Sequence, residues 1–318
     1  MDENFIINKY LKPLSKNFAE ALNFSDDAAV LKKLKNKNLV VSVDNFIYGI
    51  HCPDYIGISS GVNRAILAAI SDLSAMAAKP YCIFISVTLN KGSISTKLFK
   101  GLKDGISKAL KSTKTILAGG DLCSSSGAVS FSVTVIGEGI KKNLLHRRGA
   151  KPNELLCITG NIGDARIGLD ILLKNNKESN SFKKNYFIKK FINPPIRNDF
   201  IRMISHQVSS CIDISDGLTI DSFKLASSSD CGLEIISSKI PISLKAKAIL
   251  KKKHISLNDL ITAGDDYELA FSIREKNLEF IKKVGKAKKV KVSVIGKFTK
   301  EKKFLLDGKV FSKGYSHF

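Results

Sequence analysis

The sequence predicts a mixed α/β (α+β) protein of two domains, or of one large one. Three observations point there. At 318 residues, 44% of them hydrophobic, the chain is long enough to bury a substantial core. Short apolar runs with strand-like alternation recur between longer stretches with helical spacing along its whole length. Strand-like runs also meet glycine and aspartate repeatedly, as in Gly119-Gly120-Asp121 and Gly264-Asp265-Asp266, an echo that suggests two similar halves.

In chain order, Phe5, Ile6, Tyr10, Leu14 and Phe18 fall near helical spacing, with Pro13 interrupting. Asp26-Asp27 precede an apolar run, and 39–44 reads as a strand ending on Asp44, shortly before Gly49-Ile50-His51. Residues 62–78 form a helix rich in alanine, barred from continuing by Pro80, in which Asp72 is the only acid. A strand over 81–89 and a lysine-rich amphipathic helix over 94–110 follow. A strand over 115–121 then closes on Gly-Gly-Asp, where paired glycines would allow close approach of a ligand or simply make a turn into the strand over 129–137. The pattern breaks around 143–152, which places the domain boundary there and gives domains 1–145 and 146–318. A strand over 155–159 enters Gly160-Asn161-Ile162-Gly163-Asp164, whose spacing is not that of a dinucleotide fingerprint. Residues 174–184 read as a solvated loop or helix end, and Arg197, after a rigid Asn-Pro-Pro turn, reads as a surface arginine or as one that faces a phosphate.

The stretch Cys211-Ile212-Asp213-Ile214-Ser215-Asp216-Gly217-Leu218 organises the C-terminal half. A buried strand hands over to a helix at Ser215-Asp216, and such a junction offers free backbone N–H groups and a positive dipole end to an anion. The plainer reading is that Ser215 or Asp216 is a helix N-cap. Strands over 233–236, 269–273 and 290–294 complete the pattern.

Composition narrows the functional classes. No apolar run approaches the ~18 residues that span a bilayer, and the first residues lack the features of a signal peptide, so the expected compartment is the cytoplasm, with no membrane partner. Six cysteines are scattered without a C-x-x-C pair, which suits reduced, buried thiols. The net charge of +22 invites a nucleic-acid partner, yet only seven of the 51 basic residues are arginine and no aromatics interleave with them. A lysine-rich compositional bias accounts for the charge, and no nucleic acid is expected.

Acids recur at or just past strand ends (Asp26, Asp27, Asp44, Asp121, Asp213, Asp216), with Asp72 on a helix. Gathered together they would repel, at about 4 kcal/mol for two charges 4 Å apart even at an effective dielectric of ~20. Hard cations relieve that repulsion, and oxygen ligands without Cys or His point to Mg²⁺ or Mn²⁺. Mg²⁺ on carboxylates beside glycine-rich turns suits a nucleoside triphosphate, while the P-loop and protein-kinase motifs are absent from the sequence.

The same residues resemble the thiamine-monophosphate kinase family, within the superfamily of aminoimidazole ribonucleotide synthetase-like ATP-binding proteins. The resemblance runs nearly end to end: Asp26-Asp27, Asp44 with Gly49-x-His51, Ser71-Asp72-Leu73-x-Ala75-Met76, Gly119-Gly120-Asp121 and Arg147-x-Gly149-Ala150-Lys151-Pro152. It continues through Thr159-Gly160-x-x-Gly163-Asp164, Asp213-x-Ser215-Asp216-Gly217-Leu218, Gly264-Asp265-Asp266-Tyr267-Glu268-Leu269 and Gly314-Tyr315-x-His317-Phe318.

The resemblance implies a two-domain aminoimidazole ribonucleotide synthetase-like fold and a homodimer whose N-terminal sheets pair, with a C-terminal mixed α/β domain completing the site. It implies ATP-dependent phosphorylation of thiamine monophosphate to thiamine diphosphate by direct in-line transfer with Mg²⁺, so no catalytic side chain is assigned. By matching position, Asp27, Ser42, Asp44, Asp72, Asp121, Asp213 and Asp216 would hold metal. Gly120, Asp121, Arg147 and Ser215 would meet ATP, and His51 and Asp265 would face thiamine monophosphate. The chain departs from the family pattern at Ser25, Val43, Asn45, Ala69, Asp265 and Ser316, and Val43 replaces a threonine that helps bind metal. The alternatives are another ATP-using enzyme of the superfamily, or a non-catalytic Mg-nucleotide- or nucleic-acid-binding protein.

Overall fold

The computed structural model describes residues 3–16, 18–20, 37–175, 185–252 and 255–311, which form two compact units. The first comprises Met1–Leu73, Lys79–Lys141 and Leu172–Lys184; the second comprises Ser74–Ala78, Lys142–Ile171 and Asn185–Phe318. No helix among the described residues is long and apolar enough to cross a membrane.

The N-terminal stretch is helical but broken. Helix α1 (Glu3–Ile6) passes into a π turn over Ile7–Leu11 and a 3₁₀ turn over Lys12–Ser15, where Pro13 ends regular helix. Strand β1 (Asn38–Ile47), helix α2 (Ile58–Ala75), β2 (Lys79–Asn90), α3 (Thr96–Thr113), β3 (Ile116–Ser125) and β4 (Ser130–Gly139) follow. The sheet runs β1-β4-β2-β3, antiparallel except for the β2–β3 pair.

Helix α2 begins four residues before the 62–78 span read from the sequence, and its small residues serve close packing. A Cβ on Gly105 of α3 would lie 2.4 Å from the Ser59 carbonyl, so the two helices meet backbone to backbone. Helix α3 starts at Ser95, whose hydroxyl accepts from Leu98 N–H, and ends at the left-handed Lys114.

Two expectations about Gly119-Gly120-Asp121 fail. The tripeptide neither closes a strand nor makes a turn, because β3 continues through it to Ser125. The β2–β3 register slips beside these glycines, and a Cβ on Gly120 would stand 2.0 Å from the Ile85 carbonyl. The glycine is required by sheet geometry.

The C-terminal unit is built on a seven-stranded sheet ordered β11-β10-β7-β9-β5-β8-β6. Its strands are β5 (Leu155–Thr159), β6 (Val208–Asp213), β7 (Gly232–Ile235), β8 (Leu269–Ile273), β9 (Val292–Thr299), β10 (Phe304–Leu306) and β11 (Lys309–Val310). Helices α4 (Asp164–Asn175, in this unit as far as Ile171), α5 (Tyr186–Ile192), α6 (Asn198–Ile204), α7 (Leu218–Ser228), α8 (Leu244–Lys251), α9 (Leu257–Ile261) and α10 (Leu278–Ala287) accompany it. Alternate residues of β5 enter different cores: Leu156 and Ile158 pack with Ile212, Leu218 and Leu225, whereas Cys157 packs with Phe200, Phe271 and Ile281. Among the described residues the expected likeness of the two halves is not found, since sheets of four and seven strands differ in size and order. Five of the six thiols are buried as read; Cys123 is exposed on β3.

Candidate active site

In the N-terminal unit, period-two alternation sorts the predicted site residues of β1. Ser42 and Asp44 point to the helix-covered face, and across the sheet Asp44 lies in one register row with Val133, Ile85 and Gly120. Val133 and Ile85 are buried there. The Ser42 hydroxyl donates to Asp72 Oδ2 on α2 at 2.5 Å. Asp44 is pushed from 3.8 to about 6, first by burial and then by the charge of Asp72. A strand acid, a helix acid and a hydroxyl therefore share one half-buried place, and the two carboxylates repel.

That donor set fits a hard divalent cation: it is all oxygen, and burial and the Asp72 charge both disfavour the ionised form of Asp44 that a cation would stabilise. Among the described residues no three His, Cys, Asp or Glu side chains converge as a metal cluster. Asp27, another acid that the resemblance assigns to metal, lies outside the described residues, as does the terminal Gly314–Phe318 motif.

The next register row faces the other way and holds Asn45, Ser132, Ser86 and Asp121. Asp121 is exposed there, three strand spacings (about 14 Å) from β1 and on the face opposite Asp44. Within this unit it does not join the Asp44–Asp72 pair. Val43 lies on that second face at 58% exposure. The departure at Val43 thus takes no donor from the pair. Beyond β1, His51 is held by its own turn: Nδ1 accepts from Ile47 N–H at 2.9 Å and the ring stacks on Phe46 at 5.6 Å, which places the ring proton on Nε2.

In the C-terminal unit, Asp213, Ser215, Asp216 and Asp265 come together on two interlocked loops. The Ile214 N–H donates to the Glu268 carbonyl, Tyr267 N–H to that of Ile214, and Asp265 N–H to that of Ser215, at 2.7, 2.8 and 2.9 Å. A Cβ on Gly264 would lie 2.1 Å from the Ser215 carbonyl, so that loop needs a glycine. Asp265 and Tyr267 hold positive φ angles of 76° and 49°. Such backbone is costly for residues other than glycine and collects at functional sites. Arg147 is exposed in a segment running along the outer edge of β6, where Cys211 N–H donates to the His146 carbonyl at 2.9 Å.

The strand-to-helix junction differs from both readings of it. Its N–H groups are not open to an anion, and neither Ser215 nor Asp216 caps the helix. Oδ2 of Asp221, in the first turn of α7, accepts from the N–H groups of Ser215, Asp216 and Gly217 at 3.0, 2.9 and 3.1 Å. The helix supplies its own anion. Lys224 donates to Asp221 Oδ1 at 3.0 Å and also to Asp216 Oδ2. Burial raises Asp221, against the lowering effect of Lys224. Lys224 is itself raised, its partial burial being outweighed by the two carboxylates. The available signal was the acid at 221 followed by a lysine three residues on, an ordinary helical pair by sequence.

Beneath these loops lies a second network that sequence reasoning missed. Both oxygens of Asp266 accept from Gly163 N–H, at 3.0 and 2.9 Å, and burial raises its carboxyl well above the usual range. The Arg197 guanidinium forks onto Glu268 at 2.6 and 2.5 Å, and Thr159 donates to the same carboxylate. Arg197, read from the sequence as a phosphate or surface arginine, is instead a mostly buried partner of Glu268. The two glycine–acid motifs of this half thus hold each other: the first supplies N–H and hydroxyl donors, the second carboxylates.

Residues 25–139 match the N-terminal domain of AIR synthase related proteins, and residues 190–308 match the C-terminal domain. The thiamine-monophosphate kinase of Buchnera aphidicola subsp. Schizaphis graminum is 34% identical over 303 residues, 94% of this chain and 92% of that protein. The chain belongs to the thiamine-monophosphate kinase family. The thiamine-monophosphate kinase of Stenotrophomonas maltophilia K279a shares its fold, with a TM-score of 0.85 at 22% identity over 95% of this chain and 98% of the other. AaThiL, solved in complex with AMPPCP and TMP, has a TM-score of 0.79 at 26% identity, covering 97% and 98% of the two chains. The expected aminoimidazole ribonucleotide synthetase-like α/β fold is therefore the observed one.

Proposed function

We infer that the chain transfers the γ-phosphoryl group of ATP to thiamine monophosphate, giving thiamine diphosphate, with Mg²⁺ on the Ser42–Asp44–Asp72 place. The observation that carries the site assignment is that pair of mutually repelling, half-buried carboxylates in a chain of this family. Asp27, Asp121, Asp213 and Asp216 are proposed as further metal contacts. Bound Mg²⁺ offsets the polyphosphate charge that would otherwise repel the incoming acceptor phosphate. Gly120, Asp121, Arg147 and Ser215 are proposed to meet ATP, and His51 and Asp265 to face thiamine monophosphate. His51 would present its Nε2 edge, since Nδ1 is engaged by the backbone. Asp265 would act from a loop whose backbone is pinned to Ser215. No side chain forms a covalent intermediate in this reading; positioning and charge neutralisation supply the rate.

Residues 1–145 would form the ATP- and Mg²⁺-binding, dimerising domain, and 146–318 the domain that completes the site. The homodimer is supported by an apolar strip on edge strand β1, where Leu39, Val41 and Val43 are about half exposed. The test is steady-state ADP formation from Mg-ATP with and without thiamine monophosphate, with thiamine diphosphate followed directly. ADP release that ignores thiamine monophosphate, or turnover without thiamine diphosphate, would refute the reading.

A further inference from the structure

The two carboxylates that share Lys224 are unequally placed. Asp221 has only 1% of its side chain exposed, and between them its oxygens accept three backbone N–H groups and the lysine. Asp216 is 27% exposed and stands on the loop, outside the helix. Lys224 is 34% exposed and one helical turn past Asp221, so it can keep the buried partner while releasing the outer one. The Lys224 ammonium already sets a positive charge against the partly exposed Asp216 carboxylate, and Asp216 is one of the carboxylates proposed above to contact metal. On that reading we propose that Lys224 is an exchangeable counter-ion: it neutralises Asp216 in the metal-free chain and withdraws onto Asp221 when a divalent cation takes the Asp216 carboxylate.

Exchange predicts opposite effects from its two partners. Lys224→Met removes the competitor and keeps a good helix former, so metal should bind more tightly. Asp221→Asn removes the charge onto which Lys224 withdraws, so metal should bind more weakly. A purely structural role for the cluster would weaken binding in both. General repulsion between Lys224 and a cation bound elsewhere would persist when Asp216 is made neutral.

The experiment is a titration with Mn²⁺ in the presence of a non-hydrolysable ATP analogue, free Mn²⁺ being followed by electron paramagnetic resonance and folding by thermal melts. Lys224→Met should lower the Kd of one site about threefold, the size of a half-exposed ion pair at ~1.4 kcal/mol per tenfold. Asp221→Asn should raise it by a similar factor, and in an Asp216→Asn background Lys224→Met should change nothing. The inference is overturned if Lys224→Met leaves Mn²⁺ affinity unchanged or weakens it, or if its effect survives in the Asp216→Asn background. Should Asp221→Asn fail to fold, the Lys224 variants alone still decide between exchange and its alternatives. Absence of Mn²⁺ binding by the unsubstituted chain would instead overturn the metal reading on which the inference rests.

Discussion

Replacing Asp44 by asparagine should stabilise the metal-free chain while removing its metal site. Burial and the neighbouring Asp72 charge raise the Asp44 carboxyl from 3.8 to about 6. That rise corresponds to about 3 kcal/mol, at ~1.4 kcal/mol per tenfold change in proton affinity. The raised carboxyl binds its proton more tightly in the folded chain than in the unfolded one. Stability therefore falls as pH climbs from near 3.8 through about 6, and the full deficit persists above that. Asparagine keeps the shape and never ionises. In EDTA at pH 8 the Asp44→Asn chain should be more stable than its parent by up to about 3 kcal/mol, with the difference vanishing toward pH 4. Urea unfolding of both chains at pH 4, 6 and 8 measures this directly. Adding Mg²⁺ with an ATP analogue at pH 8 should then stabilise the parent more than the variant. A variant no more stable than its parent at pH 8 in EDTA would refute the claim that this pair is strained by its own charge.

Three further outcomes follow from the packing. Arg197→Met strands the buried Glu268 carboxylate and should cost about 3–5 kcal/mol by denaturant unfolding; a loss below about 1 kcal/mol would show that the Arg197 fork is not what compensates that charge. Gly120→Ala forces a Cβ against the Ile85 carbonyl and should lower stability by about 1–3 kcal/mol, whereas an unchanged unfolding midpoint would show that β3 can shift there. Lysine at both Val41 and Val43 should give monomers in sedimentation equilibrium without lowering the melting temperature, and a persistent dimer would move the proposed interface off this strip.

Much of the molecule is legible in the chain itself. The spans of β5 and β8 follow from their apolar runs, and the handover from β6 to α7 follows from Cys211–Leu218, because alternation and helical spacing are local properties. The order of glycine–acid motifs was enough to place the chain in its family. Which acids meet was not legible. Ser42, Asp44 and Asp72 converge because a strand and a helix that covers it are packed together, and Asp121 is turned to the opposite face by a register that only strand pairing sets. Asp221 and Lys224 drew no reading from the sequence and Arg197 only that of a surface or phosphate-facing arginine, because a charged side chain declares its role only through burial and through the donors that folding brings to it. Local chain geometry determined the elements and the motifs. Long-range packing decided which charges are compensated, since electrostatic energy depends on distance and burial, neither of which sequence separation measures.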